Sequence, residues 1–234
     1  KNFFNRKILL KFLNLFQGEC IKSYRNKIAQ TNEFHFMKFY PKNTHFGLAS
    51  AFHFDMNLNS NNFKNEIFLS DNEINDYQEK FNLPKNYSLI HSEAKKTYMK
   101  NKNWGPKKIQ KIIDKYKDIN WIQVGRPGEF VLKKTKKCYF NISLRELAFI
   151  MYNSEFMICM EGMYNHLASA LNKKNFLIHT GVLPIEAFKY SNNIIIENNS
   201  KLECYPCYTF NCNKHENHCE NNLSIDYVIN ELDK

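Results

Sequence analysis

EGMYNHLASAL, residues Glu161–Leu171, follows the apolar run Phe156-Met157-Ile158-Cys159-Met160 and precedes a second one, Phe176-Leu177-Ile178-His179. An apolar run, a turn holding an acid and a glycine, a helix of small residues and another apolar run spell strand, loop, helix, strand. In an open parallel sheet the ligand crevice lies outside the carboxyl ends of the strands. Glu161, Gly162 and His166 then face that crevice, and the helix that begins near Met163 aims its N-terminal N–H groups into it. The expectation is a pocket for a phosphate-bearing ligand.

The same alternation extends to both sides. Upstream, Tyr87–His91 (YSLIH) reads as a short buried strand and 119–124 (INWIQV) as the next, ending at Gly125. Between them Trp104-Gly105-Pro106 opens a helix whose Ile109, Ile112, Ile113 and Tyr116 recur at helical spacing. Its proline sits in the first turn, where a missing N–H costs nothing. Ser143-Leu144-Arg145-Glu146 is a capping box ahead of a helix with Leu144, Leu147, Ala148 and Met151 on one face. Downstream, 193–197 is a further strand and 224–232 a capped terminal helix, and 71–81 predicts a short amphipathic helix stopped before Pro84. Strands alternating with helices of this length mean βαβ units, hence an α/β protein with a Rossmann-type parallel sheet flanked by helices. Residues 1–80 otherwise show no clean period. There, 45–59 (HFGLASAFHFDMNLN) reads as a helix or a buried loop, and 57–65 as an exposed connection.

With 234 residues, 43% of them apolar, the chain can bury a core as one large domain or two smaller ones. Lys and Arg number 33 against 23 Asp and Glu, a formal net charge of +10. That charge admits a nucleotide-sugar, an anionic lipid head group or a nucleic acid as partner, although lysines spread over solvated helix faces are the simpler account of it. No apolar run approaches the ~20 residues of a membrane span. The start, KNFFNRKILLKFLNLF, lacks a small-residue cleavage site and reads as a basic amphipathic helix that packs on the fold or lies on a membrane surface. The first residue is Lys, so a fragment of a longer chain is expected. Seven cysteines without a signal peptide point to reduced thiols or a metal site in a cytoplasmic protein, not to a disulfide framework.

Three places carry chemistry. The loop 92–104 (SEAKKTYMKNKNW) follows a strand. Lys102 can neutralise a diphosphate there while Ser92 or Thr97 donates hydrogen bonds; the alternative is an ordinary solvated basic loop. In the turn after the apolar run 156–160, Glu161 either favours the helix macrodipole as a cap or accepts hydrogen bonds from ligand hydroxyls. His166 is either a satisfied, partly buried helix residue or a catalytic group. Cys204-Tyr205-Pro206-Cys207, with Cys212 and Cys219, has the spacing of a tetrahedral metal site, with His215 and His218 as spare ligands. Reduced cysteines packed as small hydrophobes are the alternative. Either role is structural, because nothing nearby offers an open catalytic position.

Taken together, residues 88–232 resemble the C-terminal, donor-binding half of glycosyltransferase family 9, the bacterial heptosyltransferases of lipopolysaccharide assembly. The resemblance runs through Lys102-x-Trp104-x-Pro106, Ile122-Gln123-Val124-Gly125 and Ser143–Ala148 (SLRELA). It continues through Glu161…His166-Leu167-Ala168 and Cys204-x-Pro206-Cys207, with the two further cysteines and the Ser224-Ile225 helix start. It implies a GT-B fold in which 88–234 bind the donor and 1–87 are the remainder of an incomplete N-terminal acceptor domain. It implies inverting transfer from a nucleotide-sugar, with an ADP-linked heptose as favoured donor and a lipopolysaccharide or other glycan as acceptor. No metal is required for chemistry, and a structural zinc or iron at the cysteines is implied by some relatives. By position, Lys102 holds the donor phosphates, Glu161 is the donor-contacting acid, and His166 helps shape the pocket. Action in the cytoplasm, at the inner face of the inner membrane, follows.

The departures are specific. The family's loop runs Asp, small hydroxyl residue, Gly, Pro, where this chain has Glu161, Gly162, Met163 and Tyr164. Met163 at the glycine position crowds a phosphate unless Gly162 takes over the close approach. The catalytic base of the family, an acid in a GD-containing loop, has no match, so the base is unassigned. A non-catalytic nucleotide-sugar-binding homologue that has lost its base is the rival. A nucleic-acid module is disfavoured, because aromatics do not interleave with the basic runs as stacking platforms.

Overall fold

All five residues of Tyr87–His91 (β1) are buried, the mark of a strand covered on both faces. The computed structural model describes residues 65–94, 100–185, 188–198, 202–207, 209, 212 and 218–234. The other strands are β2 (Asn120–Val124), β3 (Lys137–Tyr139), β4 (Met157–Met160), β5 (Asn175–Ile178) and β6 (Asn193–Ile196). They form one sheet in the order β3-β2-β1-β4-β5-β6, with every pairing parallel. This is the doubly wound order, and it reverses between β1 and β4, where Leu89 lies opposite Met157 and Ile90 opposite Ile158. A ligand crevice opens at the carboxyl ends around such a switch point.

The helices are α1 (Asp71–Lys80), α2 (Pro106–Lys115), α3 (Leu144–Tyr152), α4 (Met163–Ala170), α5 (His218–Asn222) and α6 (Ile225–Leu232), with a 3₁₀ turn at Lys100–Lys102. In the main core Ile90, Trp121, Ile158, Phe176 and Ile178 of the strands pack with Ile109, Ile112 and Ile113 of α2 and Val228 of α6. The α2 isoleucines are at most 1% exposed, and burying each stabilises the fold by roughly 1.5–3 kcal/mol. Each strand and helix that the sequence predicts from residue 71 onward is present. Two elements are additional. β3 is half-buried and lies among lysines, so no apolar run announces it, and α5 has only five residues.

Residues 1–64, including the readings at the amino end and at 45–59, lie outside the described residues. From α1 onward the chain belongs to the sheet's own fold. Arg145 Nε and Nη2 donate to the two oxygens of Glu73 at 2.7 and 2.6 Å, Lys80 Nζ meets Glu146 Oε1 at 2.5 Å, and Phe81 is buried against the rings of Tyr139 and Phe149. Glu73 and Glu146 also close the capping boxes of α1 and α3 with Ser70 and Ser143. Hydrogen bonds from Arg145 and Ser70 hold the Glu73 carboxyl at about 2, and Lys80 and Ser143 do the same for Glu146. Both values lie below that of the unfolded chain, so the stabilisation is present above about pH 4.5 and is lost as pH falls through about 2. The expected result is a urea midpoint that drops between pH 5 and pH 2 and drops less in Glu73→Gln. Among the described residues no helix is long and apolar enough to cross a membrane.

Candidate functional site

β4, β5 and β6 are neighbours in the sheet, and the residue just past each is titratable: Glu161, His179 and Glu197. Lys102, at the end of the 3₁₀ turn, reaches the same place. Its Nζ lies 3.2 Å from Glu161 Oε1 and 5.0 Å from the centre of the Phe188 ring. Glu161 Oε2 lies 3.1 Å from His179 Nε2, and His179 Nδ1 lies 2.9 Å from Glu197 Oε2. The Glu161 and His179 side chains are fully buried, and Lys102 nearly so. Burial works to raise the Glu161 pKa, but Lys102 and His179 outweigh it and the carboxyl stays below its ordinary value. These are ion pairs without aligned hydrogen bonds, since neither Glu161 oxygen has a hydrogen-bond partner among the described residues. The buried carboxylate therefore keeps acceptor capacity.

Gly162 follows with φ 143°, a left-handed conformation that favours glycine, and stands at the N-cap of α4 with no side chain to close the helix end. A Cβ built there meets no atom within 4 Å among the described residues, while Met163 turns half its side chain to solvent. Gly162 thus provides the open approach that the sequence leaves in question at Met163. His166 lies one turn into α4, where its Nδ1 is 2.7 Å from the Tyr190 hydroxyl. Burial and then Lys102 lower its pKa, so the ring is neutral at pH 7.

Of the residues expected from sequence, Lys102, Glu161, Gly162 and His166 converge. Thr97 lies outside the described residues. Ser92 is fully buried, and its hydroxyl donates to the Phe130 carbonyl at 3.2 Å while accepting from Gln123 Nε2 at 3.0 Å. It braces the loop after β2. Sequence reasoning passed over His179, Glu197, Phe188 and Tyr190. The signal that finds the first two is positional: each is the first residue past an apolar strand. It also passed over a second buried pair at the switch point, His91 and Glu129, 3.4 Å apart, with the His91 ring 4.1 Å from that of Tyr164. A side chain on Gly125 would strike the Glu129 carboxylate.

Cys204, Cys207, Cys212 and Cys219 line a single cavity of about 290 Å³ with Asn101, Tyr205 and Thr209. Asn101 Nδ2 lies 3.6 Å from Cys207 Sγ, and Thr209 Oγ1 lies 3.3 Å from it. Burial raises the Cys219 thiol to about 11, with Cys207 and Cys212 adding to the effect. The donor set fits a tetrahedral thiolate centre. Among the described residues, however, no three such side chains converge closely enough to hold a metal, so the thiols would have to draw inward around it. The side chains of His215 and His218 lie outside the described residues.

No family model matches the sequence, and no curated protein does. Solved structures do. A glycosyl transferase family 9 protein from Veillonella parvula is similar with a TM-score of 0.62 at 13% identity, over 86% of this chain and 64% of that one. The ADP-heptose lipopolysaccharide heptosyltransferase II of Escherichia coli gives 0.53 at 10%, over 72% and 52%. The iron-containing dodecameric glycosyltransferase TibC of enterotoxigenic Escherichia coli gives 0.52 at 15%, over 64% and 46%. The chain spans about half the length of the last two. At these identities the likeness shows the fold, a GT-B-like Rossmann sheet of the kind found in family 9 glycosyltransferases.

Proposed function

We propose that this chain is the nucleotide-sugar-binding part of an inverting glycosyltransferase whose donor is an ADP-linked sugar of the heptose class. The observation that carries the reading is the buried Glu161 carboxylate, with free acceptor capacity, beside the open N-terminus of α4 and the Lys102 ammonium. A diphosphate suits the helix end and the ammonium, and sugar or ribose hydroxyls suit the carboxylate. TibC, which shares the fold, has been solved in complex with ADP-D-β-D-heptose.

In the reaction an acceptor hydroxyl attacks the anomeric carbon, a base takes its proton, and the bond from that carbon to the diphosphate oxygen breaks. Lys102 and the α4 N–H groups stabilise the departing nucleoside diphosphate. The acceptor is a lipopolysaccharide or other glycan, and the net charge of +10 suits work against an anionic cytoplasmic membrane face. The test is calorimetric titration of the folded protein with ADP, UDP, GDP and CDP. Binding of ADP in preference to the others is expected, and no binding of any of them overturns the proposal.

Cys204, Cys207, Cys212 and Cys219 would hold a structural zinc or iron, fixing the segment whose Tyr205 ring lies 6.0 Å from that of His179, without taking part in transfer. TibC is iron-containing. Elemental analysis of the purified protein is expected to give one metal per chain, lost in Cys207→Ser. A metal-free, fully folded protein contradicts the assignment.

A further inference from the structure

We propose that His179 is a positioning residue of the donor site: a buried imidazolium that holds the Glu161 carboxylate and so leaves the Lys102 ammonium to a ligand phosphate. The inference rests on the donor-site reading above and adds to it a residue that the nucleotide does not touch.

The hydrogen-bond geometry sets the charge. His179 Nε2 lies 2.9 Å from the Leu183 carbonyl, which can only accept, so Nε2 carries a proton. His179 Nδ1 lies 2.9 Å from Glu197 Oε2, and an ionised carboxylate likewise only accepts, so Nδ1 carries one too. A ring with both nitrogens protonated is a cation. Among the described residues its neighbours include Glu161 at 3.1 Å, Glu197, and the rings of Phe188 and Tyr205; His166, its pKa lowered by burial, feels both Lys102 and Glu161. Burial works to lower the His179 pKa, but the two carboxylates hold it up at about 9.

The result is a row of alternating charges, with Lys102 from the 3₁₀ turn followed by Glu161, His179 and Glu197 at three adjacent strand ends. Among the described residues the cations within 4 Å of Glu161 are Lys102 and His179. In a buried site the pull between opposite charges at this distance is several times that in water. With His179 neutral or absent, Glu161 draws Lys102 fully to itself, and the ammonium is withdrawn from the mouth of α4. With His179 charged, the charge of the carboxylate is already balanced by an ion pair at 3.1 Å, while its lone pairs stay open to ligand hydroxyls. The folded pKa lies above the ordinary 6.5, so this support is complete below about pH 6.5, persists through neutrality and is lost as pH rises through about 9.

The experiment compares ADP affinity by calorimetry for the wild type, His179→Gln and the double variant Glu161→Gln/His179→Gln at pH 7.5, together with the ring ¹⁵N signals of His179 in the wild type. We expect His179→Gln to weaken ADP about tenfold or more, the order of one lost charge-assisted contact. The double variant recovers most of that loss, because the neutral amide at 161 no longer competes for Lys102 while its carbonyl oxygen still accepts from a ribose hydroxyl. A merely structural histidine gives no such rescue. Both ring nitrogens are expected to be protonated at pH 7.5 and one proton to leave near pH 9, a readout that stands even where His179→Gln fails to fold. Equal affinity in His179→Gln, no recovery in the double variant, or a neutral ring at pH 7.5 overturns the inference and leaves the donor site standing. Failure of the folded wild type to bind any nucleotide overturns both.

Discussion

Trp104→Ala lowers the unfolding free energy by about 3–5 kcal/mol, the range for removing a large buried aromatic side chain. Trp104 has no exposed surface, and its place in the fold is unusually well tied. The indole N–H donates to the Leu223 carbonyl at 2.7 Å, the backbone N–H meets Met160 Sδ at 3.3 Å, and the Lys108 ammonium lies 5.5 Å from the ring centre. Met160 ends β4, one residue before Glu161, while Leu223 follows α5, which carries Cys219. One residue therefore joins the end of β4, beside Glu161, to the cysteine segment. Trp104→Phe retains most of the packing and loses the indole bond, for a loss of about 1–2 kcal/mol. Urea unfolding measures both, and thiol labelling should show Cys219, buried in the native fold, becoming reactive in Trp104→Ala first. A loss below about 1 kcal/mol for Trp104→Ala contradicts this packing.

Lys102→Ala is expected to weaken ADP by a hundredfold or more, in line with the roughly 2–5 kcal/mol that follows truncation of one partner in a buried charge contact. Two effects add. The phosphate loses its cation, and Glu161 is left with His179 as its remaining partner within 4 Å among the described residues, which raises the local negative potential against an anionic ligand. The fold itself should hold, because His179 still neutralises Glu161. Lys102→Met keeps the aliphatic stem against Phe188 and separates charge from packing. Affinity within threefold of the wild type in Lys102→Met contradicts the assignment of Lys102 to the phosphates.

The sheet was legible because its central strands are buried on both faces, and apolar runs such as Phe156–Met160 and Phe176–Ile178 stand out in a lysine- and asparagine-rich chain. β3 was not, because an edge strand paired on one side need not be apolar. Lys102, Glu161 and Gly162, which the structure brings together, stand out in the sequence by their position after strands and by motif order. His179 and Glu197 are not legible in the same way, because they sit past β5 and β6, where no helix start marks them. Ser92 shows the reverse. Its residue type and loop suited a phosphate contact, yet the neighbouring Gln123, buried and hydrogen-bonded to Ser92, Phe130 and Leu132, engages it to pin the β2 loop. Pairwise order in sequence cannot show which partner a hydroxyl finds.

The central claim is that a nucleoside diphosphate binds at the carboxyl ends of β4 and β5 against the α4 N-terminus. The most direct test follows backbone amide resonances of isotopically labelled protein as ADP is added. The account predicts the largest shifts at Gly162, Met163 and Tyr164, with accompanying shifts at Lys102 and His179, all saturating with one affinity. Saturable shifts confined to residues away from these strand ends, or none in folded protein, would contradict it.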